Sequence, residues 1–305
     1  MPSPYYLIKL DNGYAEGYIE VNGCELYWKS FGRAEKGTIL TLHGGPGSSH
    51  NNVIDFAKLS EYGYRVVFYD QLGGGASEKP GDMTLYTMDR FVEDAEGVRR
   101  NLNLGKVHLY GASWGGFLAP AYAVKYWRNL KSLMIQSGTC SMPLFVSEIN
   151  RLRSKLPKRI RDTLKKYEAL GDYKNPEYSA AMAYVYGRHA WRFDPSKHPQ
   201  IRLWLQKGAG EYPYFVYRIM MGINDFYGTG NLWHWDVTDQ LPNIKVPTLI
   251  TVGEYDEVTP RNSEALHKGI KGSKLVVFKG CSHHLFLEAP EKFIKVHREF
   301  MDSIE

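Results

Sequence analysis

The sequence is poor in the features that mark most non-enzymatic classes. It has three cysteines in 305 residues, Cys24, Cys140 and Cys281, far apart and odd in number. That spacing argues against a disulfide framework or a cysteine-ligated metal site and reads as reduced thiols in a cytosolic protein. No apolar run approaches the ~20 residues that a membrane helix needs. Met1 to Gly13 lacks the apolar core of a secretion signal. Low-complexity tracts and internal repeats are missing. Charge of one sign is nowhere concentrated: the formal charge is +5, and the densest basic run, Arg151 to Lys166, alternates with Leu and Ile at helical spacing. A solvated helix face explains that run better than a nucleic-acid patch. No phosphate loop or metal-ligand pattern appears, so no cofactor is called for, and neither nucleic acid nor membrane is expected as a partner.

What is present is an alternation of short apolar runs with amphipathic ones. Gly17 to Phe31 reads as a hairpin with Asn22-Gly23 at its turn. Strand patterns follow at Thr38–Leu42, Tyr64–Tyr69, Val107–Tyr110, Leu130–Gln136, Pro247–Val252 and Leu275–Phe278. Between them lie helical patterns at His50–Tyr62, Thr87–Leu102, Phe117–Trp127, Pro260–Ile270 and Pro290–Ile304. Strands alternating with helices predict an α/β fold with a mostly parallel sheet, helices on both faces, and an active site at the carboxyl ends of the strands. From Cys140 to Asp236 the strand patterns stop. Helical patterns take over, broken by Pro157, Pro176, Pro195, Pro199 and Pro213, and the alternation then resumes. The expected organisation is a core of residues 1–139 and 237–305 with residues 140–236 inserted as a helical cap.

The chemistry gathers on the strand ends. Gly111-Ala112-Ser113-Trp114-Gly115 lies between an apolar strand and a helical pattern, and Gly116 follows. A serine lifted on so sharp a turn needs small residues two positions to either side, which Gly111 and Gly115 supply. Ser113 is thus the candidate nucleophile. Its base should also follow a strand, and His283, just past Leu275–Phe278, is favoured. The adjacent His284 points the opposite way in an extended loop, so both cannot serve. His108 sits inside a strand and belongs to packing, while His189, His198 and His234 belong to the insertion. The carboxylate that orients the imidazole is expected at Asp256, with Glu254 and Glu257 as rivals on the same loop. Chain order Ser113, Asp256, His283 is the order of α/β-hydrolases. For the oxyanion the donors are the backbone N–H of Trp114, at a helix N-terminus, and of Gly45 in His43-Gly44-Gly45-Pro46-Gly47, with Gly44 the fallback.

Together with Asp70-Gln71, Gly253-Glu254-Tyr255-Asp256 and Gly280-Cys281-Ser282-His283, these motifs make the chain resemble the proline iminopeptidase family of α/β-hydrolase serine peptidases. The nearest likeness is to its archaeal, tricorn-interacting aminopeptidases, because Leu72 stands where bacterial members carry arginine. The resemblance implies the α/β-hydrolase fold with its cap, a cytoplasmic aminopeptidase acting on short peptides, and a functional link to a larger protease. An aminopeptidase must recognise a cationic amino terminus, which calls for carboxylates a residue's length from the nucleophile. The resemblance puts these at Glu254 and at Asp225, where family members have glutamate. A structural ion pair is the plainer account of Glu254, and a turn residue that of Asp225. Cap aromatics Tyr184, Trp191, Tyr214, Phe215 and Tyr227 could wall a pocket or be core; Arg188 and Arg192 could hold a carboxylate or tie cap to core. Pro120 departs from the family pattern and should kink or loosen the helix after Ser113. The preferred N-terminal residue, proline or a broader apolar set, is left open. The rival activity is an esterase, amino-acid amidase or lactonase built on the same triad, and a non-catalytic binding protein would have no use for an intact one.

Overall fold

The computed structural model describes residues 13–193 and 214–304, with Tyr214 described for its backbone alone. The N-terminal stretch read for a secretion signal, Pro195, His198, Pro199, Pro213 and the Tyr214 side chain lie outside the described residues.

Eight strands form one sheet in the order β1-β2-β4-β3-β5-β6-β9-β10. The hairpin β1 (Ala15–Val21) and β2 (Cys24–Phe31) turns at Asn22 and Gly23, both with positive φ, and pairs antiparallel down to Val21 opposite Cys24. The strands β3 (Gly37–Leu42), β4 (Tyr64–Tyr69), β5 (Val107–Ala112), β6 (Leu130–Gln136), β9 (Thr248–Gly253) and β10 (Lys274–Phe278) run parallel to one another. β5 is buried along its whole length, as a central strand covered on both faces must be. On one face lie α1 (Met88–Asn101) and α2 (Trp114–Tyr126), packed through Phe91, Ala95, Val98, Leu118 and Tyr122. Thr87 caps α1 by accepting the Arg90 N–H. The other face carries a 3₁₀ helix, His50–Tyr62, and the C-terminal helix Pro290–Asp302, joined to the sheet by Phe56, Tyr110 and Phe293.

Between β6 and β9 the described chain forms α3 (Met142–Ser154), α4 (Lys158–Leu170), α5 (Pro176–His189) and α6 (Tyr214–Met220). A small hairpin, β7 (Gly222–Asn224) and β8 (Tyr227–Gly228), follows; it was invisible in the sequence because so few residues carry no period. Glu148 of α3 ties this region to the core. Its buried carboxylate accepts from Arg151, from Arg261 at 3.2 Å and from the Thr259 hydroxyl at 2.7 Å. α2 runs as an α-helix through Pro120, so the expected loosening does not end it. Among the described residues no helix is long and apolar enough to cross a membrane.

Candidate active site

Ser113 follows β5 and precedes α2 with φ 58° and ψ −122°, a positive-φ backbone that a serine adopts only when its surroundings hold it there. They do. Its N–H donates to Gln136 O at 3.0 Å, and its carbonyl accepts from Gly116 and Phe117 in the first turn of α2. A Cβ on Gly115 would lie 2.0 Å from the Leu42 carbonyl oxygen, and one on Gly111 would lie 2.0 Å from that of Gly115. Strand β3, the elbow and α2 therefore meet at backbone distance, and only glycine permits it.

Gln71, buried after β4, locks the His43–Gly47 loop against this elbow. Its N–H donates to His43 Nε2 at 3.0 Å, its side-chain Nε2 donates to the His43 carbonyl at 3.0 Å, and its Oε1 accepts from Trp114 Nε1 at 2.7 Å. With Nε2 an acceptor, His43 carries its proton on Nδ1 and donates to the Gly44 carbonyl at 2.7 Å. Burial pulls its pKa down to about 4, so the ring is neutral and serves the loop, not proton transfer. The Gly44 N–H is already given to Asn52 Oδ1 at 3.2 Å. Of the two candidate donors in the loop, Gly45, with φ 121°, is the one whose N–H is not given to Asn52.

The end of β6 joins the elbow to the other two candidates. Gln136 accepts from Ser113 through its carbonyl and donates its side-chain N–H to the His283 carbonyl at 3.3 Å. The next residue, Ser137, donates its hydroxyl to Asp256 Oδ2 at 2.6 Å. Asp256 Oδ1 accepts from the Val258 N–H at 2.9 Å and from His283 Nδ1 at 2.7 Å. Asp256 is 1 % exposed and His283 6 %. Burial alone would lower the imidazole, but the charge and hydrogen bond of Asp256, followed by Glu257 and Asp225, raise it from 6.5 to about 10. The His284 ring stacks on Trp191 at 6.3 Å and lies edge-on to His283 at 5.4 Å, not turned away from it, and burial and the neighbouring His283 lower it to about 3. His108 donates or accepts at Ser132 Oγ, 2.8 Å away, deep in the sheet.

The two carboxylates expected to hold an amine, Glu254 and Asp225, have separate partners. Glu254 lies at the rim, where its Oε2 accepts the Gly280 N–H at 2.9 Å and its Oε1 stands 3.8 Å from Lys279 Nζ. The Glu254 carboxylate is thus engaged by Lys279 and Gly280, in the loop after β10. Beside Asp225 stands Glu257 instead. It is buried, its Oε1 is 3.9 Å from His283 Nε2, and its Oε2 has no hydrogen-bond partner among the described residues. Asp225 is partly buried and takes Tyr217 OH on Oδ1 at 2.5 Å and Tyr186 OH on Oδ2 at 3.4 Å. Burial raises both carboxyls, and the charge of Asp225 raises Glu257 further. Sequence reasoning weighed Glu257 only as a rival to Asp256. It missed Gln136, Ser137 and Tyr217, and gave Gln71 no role although Asp70-Gln71 was part of the resemblance.

The remaining candidates scatter. Trp191 stacks between Tyr186 and His284, Phe215 packs edge-on to Tyr86, and Tyr227 lies near Tyr173. Tyr184 is exposed beside Arg188, and Arg192 covers the Tyr255 ring at 3.8 Å, a tie between this region and the Asp256 loop. Cys281 is buried packing. Among the described residues no group of three or more His, Cys, Asp or Glu could hold a metal ion.

Known proteins resemble this chain along most of its length. A family model described as the alpha/beta hydrolase fold matches residues 37–290. The proline iminopeptidase of Saccharolobus solfataricus is 42% identical over 98% of this chain and 97% of its own length. That of Thermoplasma volcanium is 43% identical over 94% of this chain and 97% of its own. The crystal structure of proline iminopeptidase from Mycobacterium smegmatis superposes with a TM-score of 0.86 at 33% identity, covering 95% of this chain and 98% of that one.

Proposed function

We propose, for a chain that belongs to the α/β-hydrolase fold family and within it to the proline iminopeptidases, the removal of N-terminal residues from short peptides through an acyl-enzyme. The chain is a serine hydrolase of the aminopeptidase type, similar to prolyl aminopeptidases. In our reading Ser113 attacks the first carbonyl carbon while His283 Nε2 takes the hydroxyl proton, and Asp256 holds the imidazole by Nδ1 and offsets its charge. The N–H groups of Gly45 and Trp114 receive the oxyanion, at a helix end whose dipole favours negative charge. His283 returns the proton to the leaving amine, and a water activated by the same ring then cleaves the ester.

The observation that carries the aminopeptidase reading over an esterase or lactonase is Glu257. A buried carboxylate with one oxygen unpartnered, set beside Asp225 and next to the base, is costly unless a cation completes it. The substrate's ammonium is that cation, and it fixes the scissile bond one residue from the chain's start. A neutral acyl group would leave the cost standing. Segment 140–236, read as a cap, contributes Asp225 and would restrict entry to short or unfolded peptides. Cytoplasmic location, work alongside a larger protease, and independence of nucleic acid and membrane belong to the same proposal, supported by the resemblance.

The test is a turnover panel of fluorogenic aminoacyl amides, free and N-acetylated, run beside simple esters. Free amides should be cleaved and acetylated ones lost. Glu257→Gln and Asp225→Asn should raise KM for free amides by ten-fold or more, whereas Glu254→Gln should change it less than three-fold. Equal turnover of acetylated substrates would sink the reading.

A further inference from the structure

His283 carries its two nitrogens into different surroundings. Nδ1 is spent on Asp256. Nε2, the atom that must take the Ser113 proton, lies 3.9 Å from Glu257 Oε1. A carboxylate so near the working nitrogen of a general base competes for it. It favours the protonated ring, and a protonated ring cannot accept a proton from serine.

We propose that Glu257 gates the base: in the free enzyme its charge, 3.9 Å away, keeps His283 Nε2 protonated, and the substrate's ammonium, by pairing with Glu257 and Asp225, displaces that proton and frees Nε2 for Ser113. The inference rests on the amine-recognition reading above and adds to it that the amine switches on the chemistry as well as anchoring the peptide. The exchange balances, with one ammonium entering and one proton leaving to solvent.

The groups facing His283 are consistent with this. Asp256 and Glu257 come from the loop after β9, and Asp225 from the β7–β8 hairpin, with Tyr217 of α6 and Tyr186 of α5 on its oxygens. The His284 ring approaches edge-on at 5.4 Å and stays neutral. Three carboxylates against one imidazole hold the proton on the ring more tightly than usual, and burial followed by the charge of Asp225 raises the Glu257 carboxyl. Glu257 Oε2, without a partner among the described residues, is the place where an added cation would bind. Neutral acyl compounds would bring no cation, and would meet a base still protonated.

Two measurements decide it. The first is calorimetry of pyrrolidinium chloride binding to the intact enzyme at pH 7, in buffers of different ionisation enthalpy. Release of about one proton per cation bound is expected; binding without release overturns the gate, and no binding overturns the amine reading itself. The second is the pH profile of Ser113 labelling by a neutral alkyl fluorophosphonate, which needs an unprotonated base but no amine site. Glu257→Gln should move the midpoint of labelling at least one unit toward acid, making labelling at pH 7 about ten-fold faster than in the unaltered enzyme, while raising KM for free aminoacyl amides. An unmoved midpoint with a raised KM removes the gate and keeps recognition; an unchanged KM removes both. If Glu257→Gln does not fold, Asp225→Asn should give a smaller shift in the same direction, and no shift refutes the gate equally.

Discussion

Gln71→Met asks whether the oxyanion loop is positioned by a single buried amide. Methionine keeps the volume of glutamine but has neither its N–H nor its oxygen, so packing is nearly conserved. Two hydrogen bonds go: from Gln71 to the His43 carbonyl, and from Trp114 Nε1 to Gln71, at 3.0 and 2.7 Å. Both partners are buried, His43 at 0 % and Trp114 at 1 % exposure, and water cannot replace what is lost. A buried group left unsatisfied costs roughly 1–3 kcal/mol, so the pair should cost roughly 2–6 kcal/mol of stability. The link from Gln71 N–H to His43 Nε2 survives, since it uses the backbone. The loop should therefore stay attached yet lose its alignment with α2. Removing an oxyanion donor outright costs about 10²–10³ in kcat. Displacing Gly45 without removing it should cost about 10- to 100-fold, with KM for a free aminoacyl amide within three-fold of normal. The assay is steady-state kinetics on variant shown by circular dichroism to be folded. A folded Gln71→Met protein whose kcat stays within two-fold would refute the argument that this amide positions the donor.

Ser137→Ala removes the hydroxyl 2.6 Å from Asp256 Oδ2, a charge-assisted bond of roughly 1.5–3 kcal/mol; kcat should fall about ten-fold with KM unchanged, and an unaltered kcat would show that Val258 N–H suffices. Glu148→Ala strips the buried carboxylate from Arg151, Arg261 and Thr259, and chemical denaturation should show a loss of about 3–5 kcal/mol. Stability should also depend on pH in a stated direction. Burial lowers His43, His108 and His297 from 6.5 to about 4, and His284 to about 3, so the unfolded chain binds more protons than the folded one below pH 6.5. Each then removes up to about 1.4 kcal/mol per pH unit on acidification, and Tm should fall steadily from pH 6.5 to pH 4. His283, raised to about 10, acts oppositely and erodes stability as pH climbs above 6.5. A Tm that is level between pH 7 and pH 5 would contradict the burial of these four rings.

Much of this was legible because it rests on local rules. The parallel core follows from apolar runs spaced by amphipathic ones, and the elbow from a serine flanked by glycines at fixed offsets. Asn22-Gly23 announces its hairpin because both residues must take positive φ. The failures are non-local. Glu254 and Glu257 sit in one loop with no period to tell them apart. What turns Glu257 inward is a contact from far away in sequence: its N–H donates to the carbonyl of His189, at the end of α5, at 3.1 Å. His189 also reaches Tyr255 O through Nδ1 at 2.9 Å, so the end of α5 shapes the loop on both sides of Asp256. Nothing in Gly253 to Pro260 records that. Ser137 and Gln136 escaped for a related reason: as the last residues of an apolar strand and its exit they look like punctuation until Ser113, Asp256 and His283 are arranged around them.

The change from glutamate to aspartate at position 225 then has a physical resolution. A shorter side chain reaches less far toward an amine, and both Asp225 oxygens are occupied by the hydroxyls of Tyr217 and Tyr186. An oxygen already accepting from a hydroxyl is a weaker acceptor for an ammonium, so direct contact falls to Glu257, whose Oε2 is unclaimed. Asp225 acts chiefly through its charge, held in place by the tyrosines. That division also serves the base. Had the flexible contact been made from the hairpin, the cation would sit away from His283. Made by Glu257, it sits where the competing carboxylate must be neutralised for Nε2 to accept the Ser113 proton. Recognition of the peptide's end and activation of the serine thus converge on one carboxylate, adjacent in sequence to the aspartate that orients the base.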